Sequence, residues 1–256
     1  MNKYVKTNQL YNCTTEYLIP LFSQYEFPWE MLPILKEYIS SLIAKGIEGF
    51  TKYSDNVLIG ENVKIYPNVT IDGPTIIGEG TEIRPGAFIR GSVITGKNCV
   101  IGNSSELKNC ILLEKVQVPH YNYVGDSVLG NFSHMGAGSI CSNLKSDGKP
   151  VVIHGDTDYI TGLRKIGGIL ADGADIGCGC VFSAASKISS SGIKSSAYSF
   201  ASALIVGAIL ARSFLIFSPL GVSSGKSLFI SASRIYGDIV IILALVCFLS
   251  CLRIER

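Results

Sequence analysis

Charge is scarce in this chain. Asp, Glu, Lys and Arg make up 16% of its 256 residues, against about a quarter in an average globular protein, and the shortage deepens after Ser183. The formal net charge is +2 and no basic tract occurs. Nothing therefore offers the phosphate-neutralising surface that a polynucleotide needs, and no nucleic-acid partner is expected. Long apolar runs are also missing. A spanning helix needs about 20 apolar residues; Ile239–Leu252 is too short, and the run from Ala201 stops at Arg212. No apolar run follows Met1-Asn2-Lys3-Tyr4, so a secretory signal is not expected and a reducing, cytoplasmic setting is. Soft metal ligands are too few. Cys178 and Cys180 form a Cys-x-Cys pair with no further Cys or His at suitable spacing, and no metal site is expected.

A period of six is present instead. Isoleucine occupies positions 59, 65, 71, 77, 83 and 89, and Thr95, Ile101, Leu107 and Leu113 continue the register. Four residues after each of the first eight stands a small or β-branched residue: Val63, Val69, Thr75, Thr81, Ala87, Val93, Cys99 and Ser105. Neither an α-helix nor an alternating strand repeats every six residues. Hexapeptide coils do, each unit being a short strand and a turn, with aliphatic side chains stacked inside. The spacing predicts a left-handed parallel β-helix, all-β, over residues 56–188. Gly60, Gly78 and Gly102 follow the aliphatic position and are expected to relieve tight turns.

The register slips between Gln117 and Tyr123, which predicts a loop leaving the coil and carrying His120 and Tyr123. A new phase follows at Leu129, Met135 and Cys141, a polar break runs from Lys145 to about Lys165, and the repeat returns at Leu170 and Ile176. Residues 1–55 read as a helical N-terminal cap. Leu32, Leu35, Ile39, Leu42 and Ile43 follow helix spacing, with Pro28 near the start and Gly46 past the last turn, and a repeat array needs its terminal core face covered. Residues 189–256 form an atypical apolar tail, Ser-rich at first; its short apolar runs allow packing or weak membrane association.

Several stretches resemble the acetyltransferase domain of the bifunctional bacterial UDP-N-acetylglucosamine pyrophosphorylase/glucosamine-1-phosphate N-acetyltransferase, a hexapeptide-repeat acyltransferase family, and its short stand-alone members. They are Ile83-Arg84-Pro85-Gly86-Ala87, Asn103-Ser104-Ser105-Glu106-Leu107-Lys108, Pro119-His120-Tyr121-Asn122-Tyr123-Val124-Gly125-Asp126, Met135-Gly136-Ala137-Gly138 and Cys141-Ser142-Asn143. The resemblance covers roughly residues 57–180. It implies transfer of an acetyl group from acetyl-CoA to the amine of a sugar phosphate, in UDP-N-acetylglucosamine or cell-envelope sugar synthesis, by a homotrimer.

The chemistry can be assigned to residues. An attacking amine must lose a proton, and His titrates in the right range. A lone surface His is more often structural, but its setting beside Tyr123-Val124-Gly125-Asp126 makes His120 the expected base. Arg84 and Lys108 suit a phosphate. The resemblance implies that Tyr123, His134 and Asn143 hydrogen-bond the sugar and that a backbone N–H near Ala137 meets the thioester oxygen.

Two departures bear on this reading. The family usually has Asn at the position of His134, which bears on sugar identity. After Gly177 the family's coils continue, whereas Phe182-Ser183-Ala184-Ala185-Ser186 departs from their pattern, as an altered or frame-shifted C-terminus would. The Gly-rich loop of a uridyltransferase is absent from residues 1–55. The alternative is a non-catalytic sugar-nucleotide-binding or scaffold β-helix, a relative of chains labelled nucleotidyltransferase, inactivated by its C-terminus.

Overall fold

The computed structural model of the chain describes residues 5–154 and 157–182, together with the backbone of 187–188. The apolar tail expected over 189–256 lies outside the described residues.

From Val57 the chain winds into a parallel β-helix of three faces. The first face stacks Val57–Gly60, Thr75–Ile77, Val93–Thr95, the ends of Glu106–Leu112 and Tyr123–Leu129, then Ile169–Leu170. The second stacks Lys64–Ile65, Glu82–Ile83, Val100–Asn103, Gln117–His120, His134–Met135 and Asp175–Ile176. The third stacks Thr70–Asp72, Phe88–Arg90, the starts of Glu106–Leu112 and Tyr123–Leu129, Ile140–Cys141 and Val181–Phe182. The six-residue period is the distance between faces. Ile77, Ile83, Ile89, Ile101 and Leu107 point inward and are fully buried, as are Val124, Leu129, Met135 and Cys141 further on. Thr75, Thr81, Ala87, Val93, Cys99 and Ser105 fill the corners beside them, none more than 1% exposed.

Three expectations are corrected. First, no loop leaves the coil at Gln117–Tyr123. The slips flank this stretch, where each of two coils lacks one corner residue: Thr75 pairs with Val93, eighteen on, but Val93 pairs with Cys110 and Cys110 with Ser127, each seventeen on. Asn109 and Asp126 turn these tightened corners at φ +47° and +48°, a conformation that Asn and Asp tolerate best among residues with a side chain. Leu112, not Leu113, therefore continues the inner register opposite Thr95.

Second, the N-terminal segment does not close the end of the array. Helices Thr7–Leu10, Ile19–Gln24 and Leu35–Lys45 and the 3₁₀ turn Pro28–Met31 lie along the first face. Their Leu18, Leu21, Trp29, Leu35 and Ile39 form one core with the outward-facing Leu58, Ile76, Ile94, Ile111, Val128 and Ile169. Gly46 does end the long helix, at φ +79°, its N–H donating to Leu42 and Ile43 carbonyls. Tyr17 donates to the Thr95 carbonyl at 2.7 Å, and Thr14 and Thr15 share Glu114 at 3.2 and 3.0 Å. In the opening coil Ile59, Val63, Ile65, Val69 and Ile71 stay half-buried.

Third, Gly60, Gly78 and Gly102 are not turn residues; none has positive φ. They permit coils to touch. A Cβ at Gly78 would sit 2.1 Å from the Gly96 carbonyl oxygen, and one at Gly102 only 1.6 Å from that of Pro119.

The polar break is the real excursion. The chain leaves after Cys141, builds the antiparallel hairpin Val152–His154 with Asp158–Ile160, and rejoins at Ile169. Tyr159 of this hairpin sets its ring edge-on against Phe27 and Trp29, with centroids 5.4 and 6.1 Å away. No helix among the described residues is long and apolar enough to cross a membrane.

Candidate active site

His120 ends the second-face strand and Tyr123 begins the third-face strand, so the corner between those faces carries both. Asn122 builds this corner. It is 2% exposed; its Oδ1 accepts the His120 N–H at 3.0 Å and its Nδ2 donates to the Gly136 carbonyl at 2.8 Å. Tyr121 beside it takes φ +51°. A buried amide bonded to backbone on two coils holds the turn that presents His120 outward.

Ala137 lies one coil below His120, since the Gly138 N–H donates to the His120 carbonyl at 3.0 Å. Adjacent coils are about 4.8 Å apart. The N–H groups of Gly136 and Gly138 are taken, by Ile176 and His120 carbonyls. The N–H of the exposed Ala137 meets no acceptor among the described residues. The exposed His120 imidazole likewise has no hydrogen-bond partner among them. An unspent proton acceptor thus sits directly above an unspent backbone donor.

On the third face the polar groups are linked. Asn143 donates to the Tyr123 hydroxyl at 3.3 Å and to the Asp126 carboxylate, which also accepts from Asn109 at 2.7 Å. Burial, followed by the Asp126 charge, raises the Tyr123 pKa, so its hydroxyl stays protonated and available as a donor. Lys108 pairs with Gly125 one coil before, half-buried and without an ion-pair partner among the described residues. A cleft of about 510 Å³ opens beside this network, with Asn109 and Asp126 in its floor, Leu32 and Pro33 from the N-terminal segment, and Arg164 and Lys165 from the excursion.

Of the residues singled out from sequence, His120, Tyr123, Ala137 and Asn143 converge on one corner and its neighbouring face, with Lys108 one coil away. Two stand apart. The Arg84 guanidinium is bound to Glu82 at 2.9 Å, two coils before His120. His134 starts its strand, with Nδ1 2.9 Å from the Asp175 carboxylate. Sequence reasoning did not single out Asp126, Asn109 or the Arg90–Glu106 pair at 2.6 Å. The Gly125-Asp126 dipeptide carried the Asp126 signal, but only the tightened corners place that carboxylate against Asn109 and Asn143 on the neighbouring coils.

This corner, on a three-faced parallel β-helix with hexapeptide spacing, defines a hexapeptide-repeat protein. Within that class the chain is similar to bifunctional, GlmU-type proteins. It is 37% identical over 169 residues to the bifunctional protein GlmU of Methanococcus maripaludis, covering 65% of this chain and 41% of that protein. It is 31% identical over 148 residues to a bifunctional sugar-1-phosphate nucleotidylyltransferase/acetyltransferase of Sulfurisphaera tokodaii, covering 56% of this chain and 37% of that one. The chain therefore spans about two fifths of the length of these relatives. The profile of the GMPPB C-terminal domain matches residues 71–163. Among solved structures, the acetyltransferase domain of PglB from Neisseria gonorrhoeae aligns with 61% of this chain and 62% of its own, at 14% identity and a TM-score of 0.32.

Proposed function

We propose that the chain is an acetyl-CoA-dependent N-acetyltransferase acting on the amine of a sugar phosphate such as glucosamine-1-phosphate, as a cytoplasmic homotrimer. The observation that carries this reading is the His120 imidazole over the free Ala137 N–H. Acetyl-CoA supplies the activated acetyl group. His120 takes the proton of the attacking amine and returns it to the leaving thiol. Ala137 N–H faces the position where negative charge develops on the carbonyl oxygen. Tyr123 and Asn143 hold sugar hydroxyls, and Lys108 meets the phosphate, with Arg84 joining it once released from Glu82. His134 contacts the sugar only if it turns from Asp175. The relatives from Methanococcus maripaludis and Sulfurisphaera tokodaii are a bifunctional protein GlmU and a sugar-1-phosphate nucleotidylyltransferase/acetyltransferase, which agrees with this chemistry.

The test is thiol release from acetyl-CoA with glucosamine-1-phosphate as acceptor. Turnover that falls by about 10²–10⁴-fold in His120→Ala, the range general-base loss covers, supports the reading. A folded wild-type chain without turnover overturns it for this donor and acceptor, and leaves a sugar-nucleotide-binding β-helix as the competing function.

A further inference from the structure

Resting on the reading of His120 as a base, we propose that Asn103 is its positioning residue: its side-chain oxygen accepts the His120 Nδ1–H and leaves Nε2 as the proton acceptor. Asn103 and His120 are register partners on consecutive coils of the second face, so their Cα atoms lie about 4.8 Å apart at the same corner. Asn103 Oδ1 is buried and has no hydrogen-bond partner among the described residues. A buried acceptor without a donor carries a desolvation penalty that a nearby donor removes. Among the described residues, the side chain stacked on it with an unspent ring N–H is His120.

The other candidate for orienting this ring is engaged elsewhere. Glu106 sits opposite Tyr123 on the third face and is bound to Arg90 at 2.6 Å. The backbone on both sides is fixed: Tyr121 N–H donates to the Asn103 carbonyl at 2.9 Å and His120 N–H to Asn122. Closing the contact therefore needs only side-chain rotation. An imidazole base needs one nitrogen bare, and which one is set by the hydrogen bond that the other makes.

The chain has three histidines, so ¹⁵N-histidine labelling of the full protein gives few signals, and His120→Ala assigns one. Above neutral pH the wild type is expected to show His120 as the Nδ1–H tautomer. Asn103→Leu returns it to the Nε2–H form that a free imidazole favours. Asn103→Asp keeps Nδ1–H and raises the His120 titration midpoint by about one unit, because a carboxylate stabilises the charged ring. In turnover, Asn103→Leu lowers kcat at least tenfold with KM unchanged, and Asn103→Asp restores most of it. A wild-type His120 in the Nε2–H form, or the same tautomer in wild type and Asn103→Leu, overturns the proposal. Should Asn103→Leu not fold, the wild-type tautomer and the Asn103→Asp midpoint decide alone. The expected tautomers without acetyl transfer by the wild type would sink the acetyltransferase reading and leave the contact standing.

Discussion

Asp126 accepts a hydrogen bond from Asn143 across one coil of the β-helix, and the same Asn143 amide reaches the Tyr123 hydroxyl. Asp126 is only 7% exposed, and its other oxygen accepts from Asn109. Both side-chain amides thus spend N–H on this carboxylate, and their side-chain oxygens meet no donor among the described residues. Asp126→Ala strips two half-buried donors of an acceptor. A loss of about 3 kcal/mol is expected, seen as a drop in Tm of roughly 6–12 °C for a chain of this size. Asp126→Asn keeps the shape but one acceptor oxygen, so about half that loss is expected. Calorimetry showing both variants within experimental scatter of wild type would mean that the network does not stabilise the corner.

The N-terminal segment is clamped at a second carboxylate. Asp172 accepts the Asn12 N–H at 2.9 Å and the Asn131 N–H at 2.7 Å, while its own N–H donates to the Leu10 carbonyl at 3.0 Å. Asp172→Ala removes the side-chain bond to Asn12, keeps the backbone bond to Leu10, and weakens the corner on which the segment rests. Local opening is then more frequent, without loss of the β-helix itself. Limited proteolysis should cut within residues 5–30 about tenfold faster, with cuts in the coils unchanged. Equal cutting rates would show that the Asp172 carboxylate does not hold the segment.

Much of the fold was legible because a β-helix writes its geometry into spacing. Ile77, Ile83 and Ile89 mark successive faces of one coil, and Thr81 and Ala87 mark its corners. The position of the N-terminal helices was less plain, yet a signal existed. Thr75-Ile76-Ile77 and Cys110-Ile111-Leu112 are buried throughout, and a strand apolar on both sides is covered on both sides. The missing corner residues at Asn109 and Asp126 were hidden, because a six-residue count tolerates one omission by shifting the break to the next irregular stretch. For the site, His120 and Tyr123 were visible through a motif. The free Ala137 N–H and the Asp126 network depend on stacking between coils, which spacing along one coil does not reveal.

Coil contact at glycine makes a sharp test of that stacking. A Cβ at Gly102 meets backbone of the next coil at Pro119, each one residue before the register partners Asn103 and His120. Backbone cannot yield as a flexible side chain can, so Gly102→Ala should cost about 2 kcal/mol or more, in the range of overpacked cores. Gly138→Ala, where no atom lies within 4 Å of the added carbon, should cost only the strain of its φ of +71°, about 1–2 kcal/mol. Urea midpoints that rank the two variants the other way would contradict the register of the second face.

Buried thiols set the alkaline limit of stability. Burial pushes Cys99 up to about 12 and Cys141 up to about 11, and raises Cys110 strongly as well. These groups are neutral in the folded chain, while an unfolded thiol ionises near pH 8.5. A raised folded pKa means that the stabilisation is complete below about pH 8.5 and is lost as pH climbs through 11–12, since the unfolded chain releases its protons first. Between pH 7.5 and 9.5 each such thiol should lower unfolding free energy by about 1 kcal/mol. In urea unfolding at the two pH values, the Cys99→Ala/Cys141→Ala double variant should lose about 2 kcal/mol less than wild type. The same chemistry governs reactivity, because the thiolate is the nucleophile: the exposed Cys178 should react with a disulfide reagent in the native protein, and Cys99, Cys110 and Cys141 only on unfolding. If the double variant loses stability with pH as steeply as wild type, ionisation elsewhere, not these thiols, drives the alkaline transition.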